Sequence, residues 1–233
     1  MIQFYASDID SSQFLDPGES GHCVRVLRKK KGDEILLTDG KGSRYECLIT
    51  DDNPRRVRFE ILNQIQIPKS WNNNITLAVA PTKNADRMAW LVEKATEIGV
   101  DKIIFVACRN SERRVVNVDR LRRNAISAMN QSLKTFLPQI EEIQPLEALF
   151  GMDGSKYFGY CSDDTERRSF VKDYKPGENV VITIGPEGDF SKDEVEAMIH
   201  EGFKPVTFGD ERLRTETAAL YAVTAIHVLE SLY

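Results

Sequence analysis

Residues 180–202 read VVITIGPEGDFSKDEVEAMIHEG. Val180–Ile184 is a run of β-branched residues, short enough to be a strand buried on both faces. Gly185 and Gly188 flank Pro186-Glu187 directly after it. Ser191 and Glu194 then form a capping box, and Gly202 closes the helix they start. Strand, glycine loop and capped helix make one unit of a parallel α/β fold. The same grammar holds on both sides. ITLAVA (75–80) leads through PTKN to Asn84, an N-cap for a helix with Met88, Leu91, Ala95 and Ile98 on one face, stopped by Gly99. Trp90 on that helix reads as core. KIIFVA (102–107), KYFGYC (156–161) and KPVTFG (204–209) are further strands, 117–134 a second helix, and 215–232 a last helix in which His227 is packed. The expected fold class is α/β, with a largely parallel sheet covered on both faces.

The first 65 residues follow another grammar. KGDEILLT (31–38), RYECLIT (44–50) and RVRFEIL (56–62) are strand runs separated by TDGKGS and DDNP turns. They predict a small β-barrel or sandwich, marginal by itself at that size. QIPKSWNNN (66–74) reads as the linker. The chain therefore divides into domains at 1–70 and 71–233.

The 233 residues are 41% hydrophobic and 29% charged, ordinary for a globular protein. No apolar run reaches the roughly 18 residues of a membrane helix. The first ten residues lack the basic and apolar regions of a secretory signal, so a cytoplasmic location is expected. Cys23, Cys47, Cys108 and Cys161 form no CxxC, and with three histidines they show no zinc-ligand spacing, so no metal is expected. The net charge of −5 argues against a protein that coats nucleic acid, yet it is unevenly spread. HCVRVLRKKK (22–31) carries five bases and no acid; 109–134 carries a net +5 and 141–210 a net −9. A basic binding face and ordinary solvated surface both fit this pattern.

Two segments at strand C-termini carry candidate chemistry, because open α/β sheets bind ligands there. In IGPEG (184–188), glycines let the backbone wrap a ligand, and a helix start can hold polar groups; a tight turn is the plain alternative. In FGDERLRTETA (208–218), Arg214, Thr215, Glu216 and Thr217 crowd a helix start. Thr215 fits an N-cap. Arg214 can stabilise charge, and Glu216 can act as acid, base or orienting group. The chain has no phosphate loop, GxSxG elbow, HExxH motif or dinucleotide glycine turn.

These motifs, with others in the same order, resemble the bacterial 16S rRNA (uracil-N3)-methyltransferase family, in the SPOUT class of S-adenosylmethionine-dependent RNA methyltransferases. The likeness runs nearly end to end. It comprises H-x-x-x-V-L-R at His22, Val26, Leu27 and Arg28, then Gly32-Asp33 and D-G-x-G at Asp39, Gly40 and Gly42. It continues with Lys83 and Arg87, EKATEIGV (93–100), SER (111–113), and Asn130-Gln131-Ser132 ahead of Pro138 and Ile140. IGPEG and LRTETA (213–218) are its most specific parts.

The resemblance implies an N-terminal PUA-like β-barrel, a C-terminal SPOUT domain with a trefoil knot, a homodimer, and no metal or membrane. It implies S-adenosylmethionine as cofactor, held by Gly185, Pro186, Glu187, Gly188, Phe208, Gly209, Leu213 and Thr215. Arg214 and Glu216 are then the catalytic pair. His22, Arg25, Arg28, Lys29, Lys30, Lys83, Arg87, Arg113 and Lys134 are the RNA contacts. The target is N3 of a uridine in 16S rRNA of the assembled small ribosomal subunit. Two positions depart from the family pattern: Asp189 stands where a glycine is usual after GPEG, and Lys134 where an arginine is common. Another SPOUT enzyme with a different target, and a non-catalytic RNA-binding or assembly factor, are the alternatives.

Overall fold

The β-branched runs of the chain become the strands of two separate sheets. The computed structural model describes residues 2–162 and 165–232. It separates into two units: the residues up to Ser70 together with Ile126–Leu137, and Trp71–Ala125 together with the chain from Pro138 onward.

In the first unit, β1 (Gln3–Tyr5), α1 (Pro17–Gly21), β2 (Glu34–Thr38), β3 (Ser43–Asp51) and β4 (Arg58–Gln66) follow in order. The sheet order is β1-β2-β3-β4, with β1 parallel to β2 and the other pairs antiparallel. Alternation along β3 turns Tyr45, Cys47 and Ile49 inward, onto Phe4, Leu15, Ile35, Leu37 and Phe59. The β2–β3 turn is fixed by Asp39, whose Oδ1 accepts from the amides of Lys41 and Ser43 at 2.7 and 3.0 Å. Residues 133–137 pair back onto this turn. Gly42 N donates to Thr135 O and Leu137 N to Gly40 O, both at 2.9 Å, and Gln3 Nε2 donates to Lys134 O at 2.7 Å.

Asp16 caps α1 by accepting from Glu19 N. Burial, with Asp16 adding to it, pushes the Glu19 carboxyl up to about 7. Its Oε1 accepts from Asn130 Nδ2 at 3.4 Å, while Asn130 Oδ1 is buried without a partner among the described residues. An acid whose folded pKa is raised binds its proton more tightly folded than unfolded. Its contribution is fully present below the ordinary carboxylate range and is lost as pH rises towards 7. Urea unfolding of Glu19→Gln should therefore match the parent near pH 4.5 and exceed it at pH 8 by on the order of 1–3 kcal/mol. Equal stability at pH 8 would show that ionising Glu19 costs the fold nothing.

The second unit contains β5 (Ile75–Val79), α2 (Ala85–Ile98), β6 (Lys102–Ala107), α3 (Val118–Gln131, its end belonging to the first unit) and β7 (Gln139–Pro145). These are followed by β8 (Ser155–Gly159), β9 (Arg168–Ser169), α4 (Phe170–Asp173), β10 (Val180–Ile184), α5 (Lys192–His200), β11 (Lys204–Thr207) and α6 (Thr215–Glu230). All seven strands are parallel, in the order β7-β6-β5-β10-β8-β11-β9. β5 and β10, the most apolar runs, are central and wholly buried. The late strand β10 enters between β5 and β8, and β11 between β8 and β9. The expected caps form: Asn84 accepts from Asp86 N, and the Ser191–Glu194 box has both of its bonds. Among the described residues, no helix is long and apolar enough to cross a membrane.

Three expectations need correction. Trp90 is 43% exposed, because it falls between the Met88 and Leu91 positions that face the core. Residues 71–74 are not a loose linker. Trp71 is buried and donates to Asp101 Oδ2 at 2.9 Å, and Asn73 donates to Tyr174 Oη at 2.8 Å. β1 and β7, which the sequence reading did not contain, are edge strands. A strand paired on one side only needs no apolar run, so QIEEIQP carries little signal.

Candidate cofactor cleft

The C-terminal ends of β8, β10 and β11 feed three loops around a cleft of about 520 Å³, within the usual range for small-molecule sites. Its walls are Gly159–Cys161, Gly185–Glu187 with Asp189, and Phe208–Thr215, closed by Arg167 and Ala218. The backbone supplies much of this surface, and the loops lock to one another. Thr215 Oγ1 donates to Gly185 O at 3.0 Å, joining the β10 loop to the start of α6. The Phe208 ring packs on Phe170 and Tyr221, with centroids 5.6 and 5.7 Å away. Asp189 N donates to Pro186 O at 2.9 Å, closing the GPEG turn.

Seven of the eight residues assigned to a cofactor from the sequence lie on this wall; Gly188 does not. Gly188 instead turns to the β6 loop, where Asn110 Nδ2 donates to Gly188 O and Asp189 O at 3.1 and 3.0 Å. Thr215 is not the N-cap of α6. Arg214 holds that position, with extended backbone and no capping side chain, which leaves the Thr215 hydroxyl for Gly185. Arg214 is exposed on the cleft wall. Glu216 is 7% exposed and off the wall. Its Oε1 lies 3.5 Å from Arg87 Nε, and its Oε2 is buried with no hydrogen-bond partner among the described residues.

The basic residues divide between the units. In the first, His22, Arg25, Arg28 and Lys30 are exposed. His22–Val26 is a π-helical turn, in which Leu27 N reaches His22 O at 3.0 Å, and Arg28 follows at φ +56°. Such turns favour functional positions. Lys29 Nζ donates to Glu34 O at 3.2 Å, and the carbonyl of Lys134 accepts from Gln3. In the second unit, Lys83 is exposed, its Nζ 3.4 Å from Glu112. Arg113 donates twice to Lys83 O, at 3.2 and 2.8 Å, and Arg87 is held by Glu216.

The sequence reading missed the β8 loop. Gly159, Tyr160 and Cys161 line the cleft, and Arg167 donates to the carbonyls of Tyr160 and Cys161 at 3.1 and 3.0 Å. The available signal was position, since KYFGYC ends a strand of the same sheet. Burial raises the Asp189 carboxyl above its ordinary range, opposed by the amides of Phe190 and Cys161 and by Arg212 and Arg167.

A parallel sheet with a cleft walled by glycine loops at its strand C-termini defines an α/β enzyme that binds a small cofactor or substrate. Comparison with known proteins narrows this. Residues 69–227 match the RNA methyltransferase domain family, and residues 15–62 match the RNA methyltransferase PUA domain. The chain belongs to the RNA methyltransferase domain family. It is 41% identical, over the full length of both chains, to the crystal structure of a probable rRNA-methyltransferase from Porphyromonas gingivalis, with a TM-score of 0.94. A ribosomal RNA small subunit methyltransferase E from Neisseria gonorrhoeae, bound to S-adenosyl methionine, is 29% identical over 98% of each chain, with a TM-score of 0.85. The ribosomal RNA small subunit methyltransferase E of Rickettsia conorii is 29% identical over 90% of this chain and 87% of its own.

Proposed function

We propose that this protein uses S-adenosylmethionine to methylate N3 of a uridine in the 16S rRNA of the small ribosomal subunit. The observation that carries this is the glycine-loop cleft with Arg214 on its wall, in a chain whose other matched segment is an RNA methyltransferase PUA domain. The cleft fits the cofactor in volume and in donor set, since backbone amides and carbonyls suit an adenine and a ribose. When bound, S-adenosylmethionine supplies an electrophilic methyl group.

The chain's own residues do the rest. Gly185, Pro186, Glu187, Phe208, Gly209, Leu213 and Thr215 hold and orient the cofactor, and orientation dominates an in-line transfer. The N3 of uracil is a poor nucleophile until its proton passes to water, when negative charge spreads onto the flanking carbonyls. The guanidinium of Arg214 stabilises that charge. Glu216, buried and paired with Arg87, orients the start of α6 rather than meeting solvent.

The same reading assigns residues 1–70 to a PUA-like barrel and 71–233 to a SPOUT domain with a trefoil knot, working as a homodimer in the cytoplasm. The entry of β10 and β11 between earlier strands supports the knotted topology. Exposed Trp90 on α2, with Tyr221 and Val228 on α6, offers apolar surface for a two-fold partner.

The direct test is nucleoside analysis of 16S rRNA from cells lacking the gene, followed by methylation of the isolated subunits with purified protein. Loss and recovery of N3-methyluridine are expected; a full complement of that nucleoside in the deletion strain would end the proposal.

The basic patch of the first unit makes a second prediction. His22, Arg25, Arg28, Lys29 and Lys30 grip phosphates, so affinity for the subunit should fall steeply with salt. Each lost contact should lower the log–log slope by roughly 0.7–0.9. Arg28→Glu with Lys30→Glu should weaken binding and flatten the slope by about two such steps. Unchanged affinity and slope would make the patch plain solvated surface.

A further inference from the structure

We infer that Asp189 is a positioning residue that latches the β8 loop to the β10 loop and so sets the width of the cofactor cleft. This rests on the cofactor reading above.

Asp189 stands at φ +61°, a backbone region that side chains other than Asn and Asp rarely accept. Retaining a side chain where glycine is the easy choice calls for a compensating contact, and one is present. Asp189 Oδ2 accepts from Cys161 N at 3.1 Å, while Oδ1 accepts from its neighbour Phe190 N at 2.9 Å. The first bond crosses between two loops that both line the cleft. A carboxylate accepting from an amide is charge-assisted and about twice as strong as a neutral bond.

The surroundings fix both ends of the latch. Arg167 holds the far side of the β8 loop through the carbonyls of Tyr160 and Cys161. Asn110 holds the carbonyls of Gly188 and Asp189. The Cys161 amide and the Asp189 carboxylate therefore meet between two anchored strips of backbone. Arg167 and Arg212 favour the ionised form against the burial that disfavours it. Breaking the bond frees the β8 loop from the β10 loop at the cleft mouth, and ordering it again becomes a cost of binding.

The test uses Asp189→Gly and Asp189→Asn in the full-length protein. Glycine accepts the backbone conformation and removes the latch. Asparagine also tolerates that conformation and keeps one acceptor, which can serve Cys161 N at the expense of the bond from Phe190 N. Two readouts apply: S-adenosylmethionine affinity by calorimetry, and hydrogen exchange of the Cys161 amide without ligand. In Asp189→Gly, affinity should fall about tenfold or more and the Cys161 amide should exchange faster, with the melting temperature held. Asp189→Asn should recover most of both. Unchanged Cys161 exchange in Asp189→Gly overturns the latch, as does unchanged affinity, or a loss of melting temperature without loss of affinity. Equal loss of affinity in both variants also overturns it, in favour of a direct charge contact. If the parent protein bound no S-adenosylmethionine, the cofactor reading would fail while the exchange measurement still judged the contact itself.

Discussion

Arg214→Ala should lose about 10²–10³ in single-turnover methylation while keeping its affinity for S-adenosylmethionine and most of its affinity for the ribosomal subunit. The guanidinium is exposed on the cleft wall at the N-terminus of α6, with no ion pair to Glu216, whose cationic neighbour is Arg87. It is placed to meet charge that develops only as uracil N3 loses its proton. A contact stronger in the transition state than in the ground state appears in the transfer rate rather than in binding. Arg214→Lys should recover only part of the loss, because an ammonium lacks the planar fork of donors. The melting temperature should not move, since the capping position uses the backbone of Arg214, whose carbonyl accepts from Ala218 N, and not its side chain. A variant with parental transfer rate would remove Arg214 from the chemistry. A variant that loses melting temperature and activity together would make it structural.

The second large effect separates two glycines that the sequence treats alike. Gly185→Val and Gly209→Val both block a cofactor that fills the cleft, yet only the first should also damage the fold. A Cβ at Gly185 would lie 2.9 Å from the Phe190 ring, and Phe190 is buried in the core beside Phe158 and Val195. Overpacking of this kind costs about 1–3 kcal/mol, or roughly 2–12 °C in melting temperature for a domain this size. A Cβ at Gly209 would meet nothing within 4 Å among the described residues, but φ is +129°, which a β-branched residue does not adopt. That strain is confined to an exposed loop and should distort the cleft with little loss of global stability. Calorimetry should therefore show S-adenosylmethionine binding lost by about 100-fold or more in both, while thermal melting separates them. Parental affinity in a well-folded Gly209→Val would take the β11 loop out of the site.

These outcomes differ because the sequence shows that a glycine is present and not what it faces. Local grammar set much of the rest. The apolar runs at 75–80, 102–107 and 180–184 became β5, β6 and β10, and Asn84, Gly99 and the Ser191–Glu194 box ended their helices where their chemistry dictates. Hydrogen bonds that cap a helix connect residues two to four apart, so a short stretch of sequence contains the whole cause. The GPEG and LRTETA segments were legible for the same reason. Each follows a strand and opens a helix, and ligands gather at that end of a parallel sheet.

Tertiary structure alone decided where distant segments meet. Residues 126–137 fold with the first unit because Gly42 N donates to Thr135 O and Leu137 N to Gly40 O, across about a hundred residues of chain. The edge strand β7 exists because β6 offers it a register, not because QIEEIQP is a strong strand former. Trp90 is exposed and Trp71 buried, although Trp90 lies in the apolar stretch MAWLV and Trp71 in the polar KSWNNN, since burial depends on the helix face and on Asp101 waiting for the indole N–H. In the cleft, the sequence named two walls and missed the third. Cys161, Arg167 and Asp189 come together only because β10 enters the sheet between β5 and β8, and strand order is a property of long-range pairing that no local pattern carries.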